Sequence, residues 1–221
     1  YLGPGETDDQ VQATLDRYRA PYQRLDREAL LERACDLLEA GKVVGWHQGR
    51  LEWGPRALGH RSILGDPRHP EMRTIINMKI KMREGFRPFA PSVLEDHVGE
   101  WFEIDRPSPY MLLVAPVRPG KTPLPSITHV DNSARIQTIN RDQDALYYDL
   151  IDRFRQRTGV PVLINTSMNV RGEPMVNTAD DTYRCFMRTE MDALVVGPFV
   201  MLKEDQPPLT LKSAAEEFGL D

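Results

Sequence analysis

Residues 160–174 read VPVLINTSMNVRGEP, and this stretch decides the fold. Its first part, 160–165, is a short run carrying Val160, Val162, Leu163 and Ile164, the composition of a strand buried on both faces. It opens into Asn165, Thr166, Ser167 and Asn169, followed by Gly172 and Pro174. Small hydroxyl and amide side chains at the C-terminal end of a buried strand mark the crevice where open α/β sheets hold ligands. Such groups, with nearby backbone N–H groups, hold phosphate oxygens without bulk. The same residues also make an ordinary polar turn that caps its own backbone.

Working outward, 142–158 precedes this strand as the clearest helix, with Leu146, Leu150, Ile151 and Phe154 on one face. A helix follows at 178–188, with Asp180 and Asp181 in its first turn to complement the dipole. Residues 193–202 read as one long final strand. Upstream, Ala29, Leu30, Ala34, Leu37 and Leu38 share a helical face ended by Gly41, and a buried strand is expected at 42–47. A glycine-broken loop at 51–64 runs into a strand, 70–81 is expected as a helix, and 89–94, 111–117 and 134–139 as strands. This mixture predicts an α/β (α+β) domain with a twisted mixed β-sheet and flanking helices.

The 221 residues suit one substantial domain and an appendage. Residues 1–24 are polar and turn-rich, with Thr7 or Asp8 placed to cap a short helix, and are expected as a connector. The domain spans 25–206, and 207–221 form a tail ending in a surface helix. No apolar run reaches the roughly 20 residues of a membrane helix. Cys35 and Cys185 lie far apart without CxxC spacing, so both are assigned to packing in a reducing, cytoplasmic setting. Trp46, Trp101 and Phe154 are assigned to the core. The five histidines have no metal-ligand spacing, and no metal site is expected.

A net charge of −5 argues against nucleic acid as a partner. The charge is uneven, however: 50–87 holds nine Lys/Arg against four acids. A cationic region on an acidic protein suits a small anion. Within it, Lys81, Arg83 and Arg87 lie next to a glycine and two prolines, where Arg forks and a Lys point charge can hold a phosphate or carboxylate; a solvated basic loop is the alternative. Arg56 and Arg61 in EWGPRALGHRS fit either an anion site or a domain contact. Arg135 opens an apolar strand, where an unpaired guanidinium is costly, so it calls for an acidic partner or an anionic ligand.

Four motifs now combine: EWGPRALGHRSIL, then IN–IK–RE–FRPFAPSV, then SAR–QTI, then VPVLINTSMN–RGEPMV. In this order and spacing, over about 43–202, they resemble the C-terminal half of the nodulation/antibiotic O-carbamoyltransferase family. The segment around Thr166–Pro174 is also similar to the TSxNxSGxP segment of the threonylcarbamoyl-adenylate synthases, with Arg171 where those enzymes have Ser. Both resemblances imply a YrdC-like fold. The family resemblance implies that this domain takes ATP, with Mg²⁺, and carbamoyl phosphate to make carbamoyl adenylate. An actin/Hsp70-like N-terminal domain with an iron site then transfers the carbamoyl group to a hydroxyl. That N-terminal half is absent from this sequence, so only the adenylating half-reaction is expected of it. The resemblance assigns Lys81, Arg83 and Arg135 to catalysis on the carbamoyl-phosphate and phosphate groups, with Arg87 in support. Ser167 and Asn169 are assigned to the nucleotide phosphates, and Asn165 and Thr166 to the shape of the crevice. Two other readings stay beside this one: a non-catalytic partner-docking module whose arginines fix an interface, and an RNA-associated protein like the threonylcarbamoyl-adenylate synthases.

Overall fold

The computed structural model describes residues 1–120, 123–212 and 214–218. Nine strands form one mixed sheet: β1 (Gln23–Arg24), β2 (Val44–His47), β3 (Arg61–Gly65), β4 (Ala90–Leu94), β5 (Leu113–Pro116), β6 (Ser133–Ile139), β7 (Val162–Ser167), β8 (Ala193–Val196) and β9 (Phe199–Leu202). Their order across the sheet is β1-β9-β8-β2-β3-β7-β4-β6-β5. Two pairs, β2 with β8 and β4 with β6, are parallel and the rest antiparallel. The predicted mixed sheet with flanking helices is therefore what forms.

The helices start where the sequence offers caps. α1 (Asp8–Arg17) begins at a Thr7–Gln10 capping box, α2 (Arg27–Glu39) at Asp26, α5 (Ala145–Thr158) at Asp144 and α6 (Ala179–Arg188) at a Thr178–Asp181 box. Short α3 (Met72–Ile75), α4 (Val98–Trp101) and α7 (Ala214–Phe218) complete the set. Residues 213 and 219–221 of the expected tail helix lie outside the described residues. α2 and α5 pack on one another and reach β2, β4 and β7, while α6 packs on β2 and β8 with α1 against it. Trp46, Trp101 and Phe154 are buried in the common core, and Cys35 and Cys185 are buried free thiols.

Several expectations change. The long strand at 193–202 is a hairpin: β8 and β9 pair through Val196↔Phe199, turning at Gly197-Pro198. Both arms are buried, so the apolar run hides the turn; only Gly197, with φ +52°, supplies the backbone that a two-residue loop needs. The helix expected at 70–81 is α3 followed by a single π turn, Ile76–Ile80. β7 runs two residues further than 165, because Ser167 pairs with Ser62 of β3 and Thr166 with Ile63. Residues 1–24, expected as a connector, pack into the domain. Val11 and Leu15 are buried in its core and β1 extends the sheet beside β9.

The registers set up the site. Ala90 faces Asn165, Ser92 faces Gln137 and Val114 faces Arg135 across neighbouring strands. Because side chains alternate with period two, Asn165 and Ser167, Ala90 and Ser92, Arg135 and Gln137, and Val114 share one face of the β7-β4-β6-β5 end.

Candidate functional site

The π turn delivers the first group of cations. Its closing bond runs from the Lys81 N–H to the Ile76 carbonyl, 2.9 Å, the longer reach that a π turn inserts and that recurs at functional sites. Asn77, fully buried inside that turn, organises the loop from Lys81 to Arg87. Its amide donates to the Arg87 carbonyl at 2.8 Å and to the Gly85 carbonyl at 3.4 Å. Its carbonyl oxygen accepts from Arg83 Nε at 2.7 Å. The Arg83 guanidinium also lies over the Phe89 ring, 5.2 Å from its centroid. Burial, then the neighbouring Arg87 charge, moves the Arg83 pKa below its ordinary value. Arg87 is more exposed and pairs with Glu84 at 3.2 Å.

Lys81 points beneath the end of β7. Its ammonium donates to the Ser167 carbonyl, to the Asn169 carbonyl at 3.0 Å and to Asn169 Oδ1 at 2.6 Å, with Ser167 Oγ at 3.4 Å. Ser167 Oγ in turn donates to Asn169 Oδ1 at 2.8 Å, and the Asn169 amide donates to the Glu173 carbonyl at 2.8 Å. Lys81 thus braces the Ser167–Asn169 turn from inside. Burial, with the Arg83 charge beside it, pushes its pKa down to about 7; Cys185 and Glu173 oppose that shift. Asn165 sits on a buried polar bed: its amide donates to Ala57 O, Ser92 Oγ and Gln137 Oε1, while its own carbonyl oxygen is buried without a partner.

Two cavities, of about 300 and about 390 Å³, open side by side above these groups. Arg83, Arg87, Thr166 and Ser167 line both and form their shared wall. The first adds Arg56, Arg135, Phe89, Met111 and Asn165; the second adds Lys81, Asn169, Arg171 and Gly172. Arg135 is half-buried with no acidic partner, and its Nε is buried without a hydrogen bond. Burial, and after it the nearby Arg56 charge, lowers its pKa. Of the two explanations open for Arg135, the acidic partner is therefore absent among the described residues.

Nine of the ten expected residues meet here, and Arg61 does not. Its guanidinium is fully buried and spent on carbonyls: Gln48 at 2.8 Å, His60 at 3.0 Å, Asn177 at 3.0 Å and Gly49 at 3.3 Å. Arg61 ties loops together, while Arg56 reaches the first cavity. Sequence reasoning missed Asn77, Glu52, Ser92 and Gln137. Alternation in SARIQTI, which puts Ser133, Arg135 and Gln137 on one face, was the available signal for Gln137. Glu52 holds the loop bearing Arg56: its Oε1 accepts the N–H groups of Leu58, His60 and Arg61 at 2.8, 2.7 and 3.2 Å.

The donor set is cationic, hydroxylic and amidic. Glu84 is the one carboxylate lining either cavity, and no cluster of three His, Cys, Asp or Glu suited to a metal occurs among the described residues. These residues offer no carboxylate cage that would fit a protein-held Mg²⁺. No helix among the described residues is long and apolar enough to cross a membrane.

The family described as Carbamoyltransferase C-terminus matches residues 35–203. The uncharacterized protein sll1178 of Synechocystis is 49% identical over all of this chain, which spans 40% of that protein. Nodulation protein NolO of Bradyrhizobium diazoefficiens is 43% identical over 92% of the chain, and 38% of NolO is covered. The 3'-hydroxymethylcephem-O-carbamoyltransferase of Streptomyces clavuligerus is 40% identical over 78% of the chain, covering 32% of that enzyme. The chain thus spans two fifths or less of these relatives. Among solved structures, P. abyssi Sua5 complexed with L-threonine superposes with a TM-score of 0.57 over 79% of this chain and 48% of Sua5, at 14% identity. Full-length HypF in its phosphate- and nucleotide-bound form gives 0.51 over 75% of this chain and 20% of HypF, also at 14%. These two share its fold, the YrdC-like arrangement.

Proposed function

The chain belongs to the carbamoyltransferase C-terminal family, and from that membership we propose that its crevice binds carbamoyl phosphate and ATP and forms carbamoyl adenylate. The observation that carries this reading is the pair of cavities with a common wall of Arg83, Arg87, Thr166 and Ser167. Two dense anions that must react have to lie side by side, with cations between them to offset their repulsion. The carbamoyl group first parts from its phosphate, which leaves as inorganic phosphate on hydrolysis. The resulting carbamate oxygen attacks the α-phosphorus of ATP, and the bond to the departing pyrophosphate breaks. Arg83 and Arg87 stand where negative charge passes between the two ligands, and Arg135 faces the nucleotide side. Stabilisation by fixed cations is the main catalytic means such residues have. The braced turn holds the Ser167 hydroxyl toward the phosphates, and Asn165 on its buried bed shapes the floor.

Mg²⁺ enters on the nucleotide in this reading. In the same reading the hydroxyl acceptor and the iron belong to an actin/Hsp70-like partner domain, which completes the transfer. The docking-module reading is disfavoured because Arg83, Arg87 and Arg135 converge on cavities instead of on a flat surface.

Calorimetry on the chain with each ligand tests the proposal, alongside Arg135→Ala and Arg135→Lys. Each charge-assisted bond is worth about 1.5–3 kcal/mol, so Arg135→Ala should weaken ATP binding roughly ten- to a hundredfold. Arg135→Lys should restore part of it. Pyrophosphate release that needs both ligands would establish the adenylating step. A folded chain that binds neither ATP nor carbamoyl phosphate overturns the reading.

A further inference from the structure

Residues 169–172 line the second cavity, and the bonds that shape this floor converge on Glu173, which lines neither cavity. Its Oε2 accepts the Val170 N–H at 2.8 Å, and its own N–H donates to the Val170 carbonyl at 3.2 Å. Its carbonyl takes the Asn169 amide. The neck of the same loop is closed by the Val176 N–H, which donates to the Met168 carbonyl at 3.0 Å. Glu173 is therefore the strap of the cavity floor. Its side chain is 5% exposed, and a bare carboxylate buried behind an anion-holding floor would work against binding.

Arg188, in the last turn of α6, offsets that charge. Its Nη1 lies 3.5 Å from Glu173 Oε1, and its side chain is 6% exposed. Burial raises the Glu173 pKa, while the Val170 N–H, the Cys185 thiol and the Arg188 charge pull it back. Arg188 is held in turn by the C-terminal segment. Its Nε donates to the Lys212 carbonyl at 3.2 Å, its Nη2 donates to Glu217 of α7, and its guanidinium lies over the Phe218 ring, 5.3 Å from the centroid. We propose that Glu173 and Arg188 are positioning residues for the reaction: Glu173 sets the 169–172 floor, and Arg188, anchored by α7, keeps that carboxylate from repelling the bound anion. Both act through the floor and not by contact with a ligand. This rests on the reading of the crevice as an anion site, and it adds the residues behind the wall that connect α7 to it.

The test titrates carbamoyl phosphate and ATP into the chain, into Glu173→Gln, Glu173→Ala and Arg188→Met, and into the double variant of Arg188→Met with Glu173→Gln. Each is measured at a temperature where circular dichroism shows it folded. Glu173→Gln keeps an acceptor for the Val170 N–H and should bind within about threefold of wild type, whereas Glu173→Ala loses the strap and should bind about tenfold more weakly. Arg188→Met bares the carboxylate and should weaken carbamoyl phosphate about tenfold, with a smaller effect on ATP at the Arg135 side. Adding Glu173→Gln to Arg188→Met should restore that affinity. Mere packing by Arg188 would not allow the rescue, since the space left by the guanidinium remains. Wild-type affinity in Arg188→Met overturns the inference, as does a loss that Glu173→Gln fails to restore. Should Arg188→Met not fold, wild-type affinity in Glu173→Ala overturns it equally. In those cases the anion-binding reading survives, because the unaltered chain still binds. If the unaltered chain binds neither ligand, both fall together.

Discussion

Among the described residues Lys81 and Arg135 are cations without a carboxylate partner, and their surroundings give them different work. Arg135 keeps an unpartnered Nε beside the cavity, so it has capacity left for a ligand. Lys81 spends its donors on Ser167 and Asn169, so it acts by positioning the turn. With its pKa pushed to about 7, Lys81 is partly neutral at mildly alkaline pH. A phosphate anion bound next to it favours the ammonium and raises that pKa again. Binding at pH 7.5 should then take up a proton, and affinity should fall as pH rises above about 7. Calorimetry in buffers of different ionisation enthalpy reads the uptake directly. Lys81→Met should abolish it, and uptake unchanged in that variant would assign the proton elsewhere. The motifs exposed both cations in the sequence, Lys81 as a charge near Gly and Pro and Arg135 as a guanidinium at the start of an apolar strand. Asn77 was not legible: an Asn inside an apparent helix draws no notice until a π turn faces it inward.

At the scale of elements, the loop between β2 and β3 shows how a flexible-looking stretch is held. Residues 53–56 are exposed, yet the loop returns to Glu52, whose Oε1 takes three backbone N–H groups while its Oε2 is buried without a partner. Glu52→Ala leaves those donors unpaired and should cost about 2–4 kcal/mol, read as a fall in the urea midpoint. Glu52→Gln keeps an acceptor oxygen and should cost only about 1 kcal/mol. If both variants unfold at the wild-type midpoint, the loop is held by something else. Gly59 closes the same loop with φ +113°, and a Cβ there would meet the Tyr147 ring at 2.5 Å. Gly59→Ala should therefore destabilise strongly, lowering the melting temperature more than Glu52→Gln does. Strand and helix identity was legible here from periodicity. Length was less so: buried sheets erase the polar alternation that marks strand ends, which is why the β8–β9 hairpin read as one strand and β7 as two residues short.

Over the whole molecule, stability and recognition are laid at opposite ends of one sheet. The crevice occupies the β7-β4-β6-β5 end, whereas β1 and α1 extend the other edge and its flank. The proposed anion site was readable because its chemistry is concentrated in short motifs. The role of residues 1–24 was not, since Val11 and Leu15 are too few to announce a core that other elements supply. Leu15→Ala should cost about 2–4 kcal/mol through the cavity it leaves, measurable as a lower urea midpoint. Because Leu15 lies on α1, which packs on α6, the cost should add independently, and affinity for ATP and carbamoyl phosphate at a temperature where the variant is folded should match wild type. One connection could break that independence. The chain start lies along the Arg56 loop, where Gly3 N–H donates to the Leu51 carbonyl at 3.0 Å, Arg50 Nε donates to the Gly3 carbonyl at 2.8 Å and the Tyr1 ring stacks on His60 at 3.6 Å. A Leu15→Ala variant that loses affinity as well as stability would show that the N-terminal segment transmits strain through those contacts to Arg56. The two ends of the sheet would then be one energetic unit, and the fold could not be divided into a scaffold and a site.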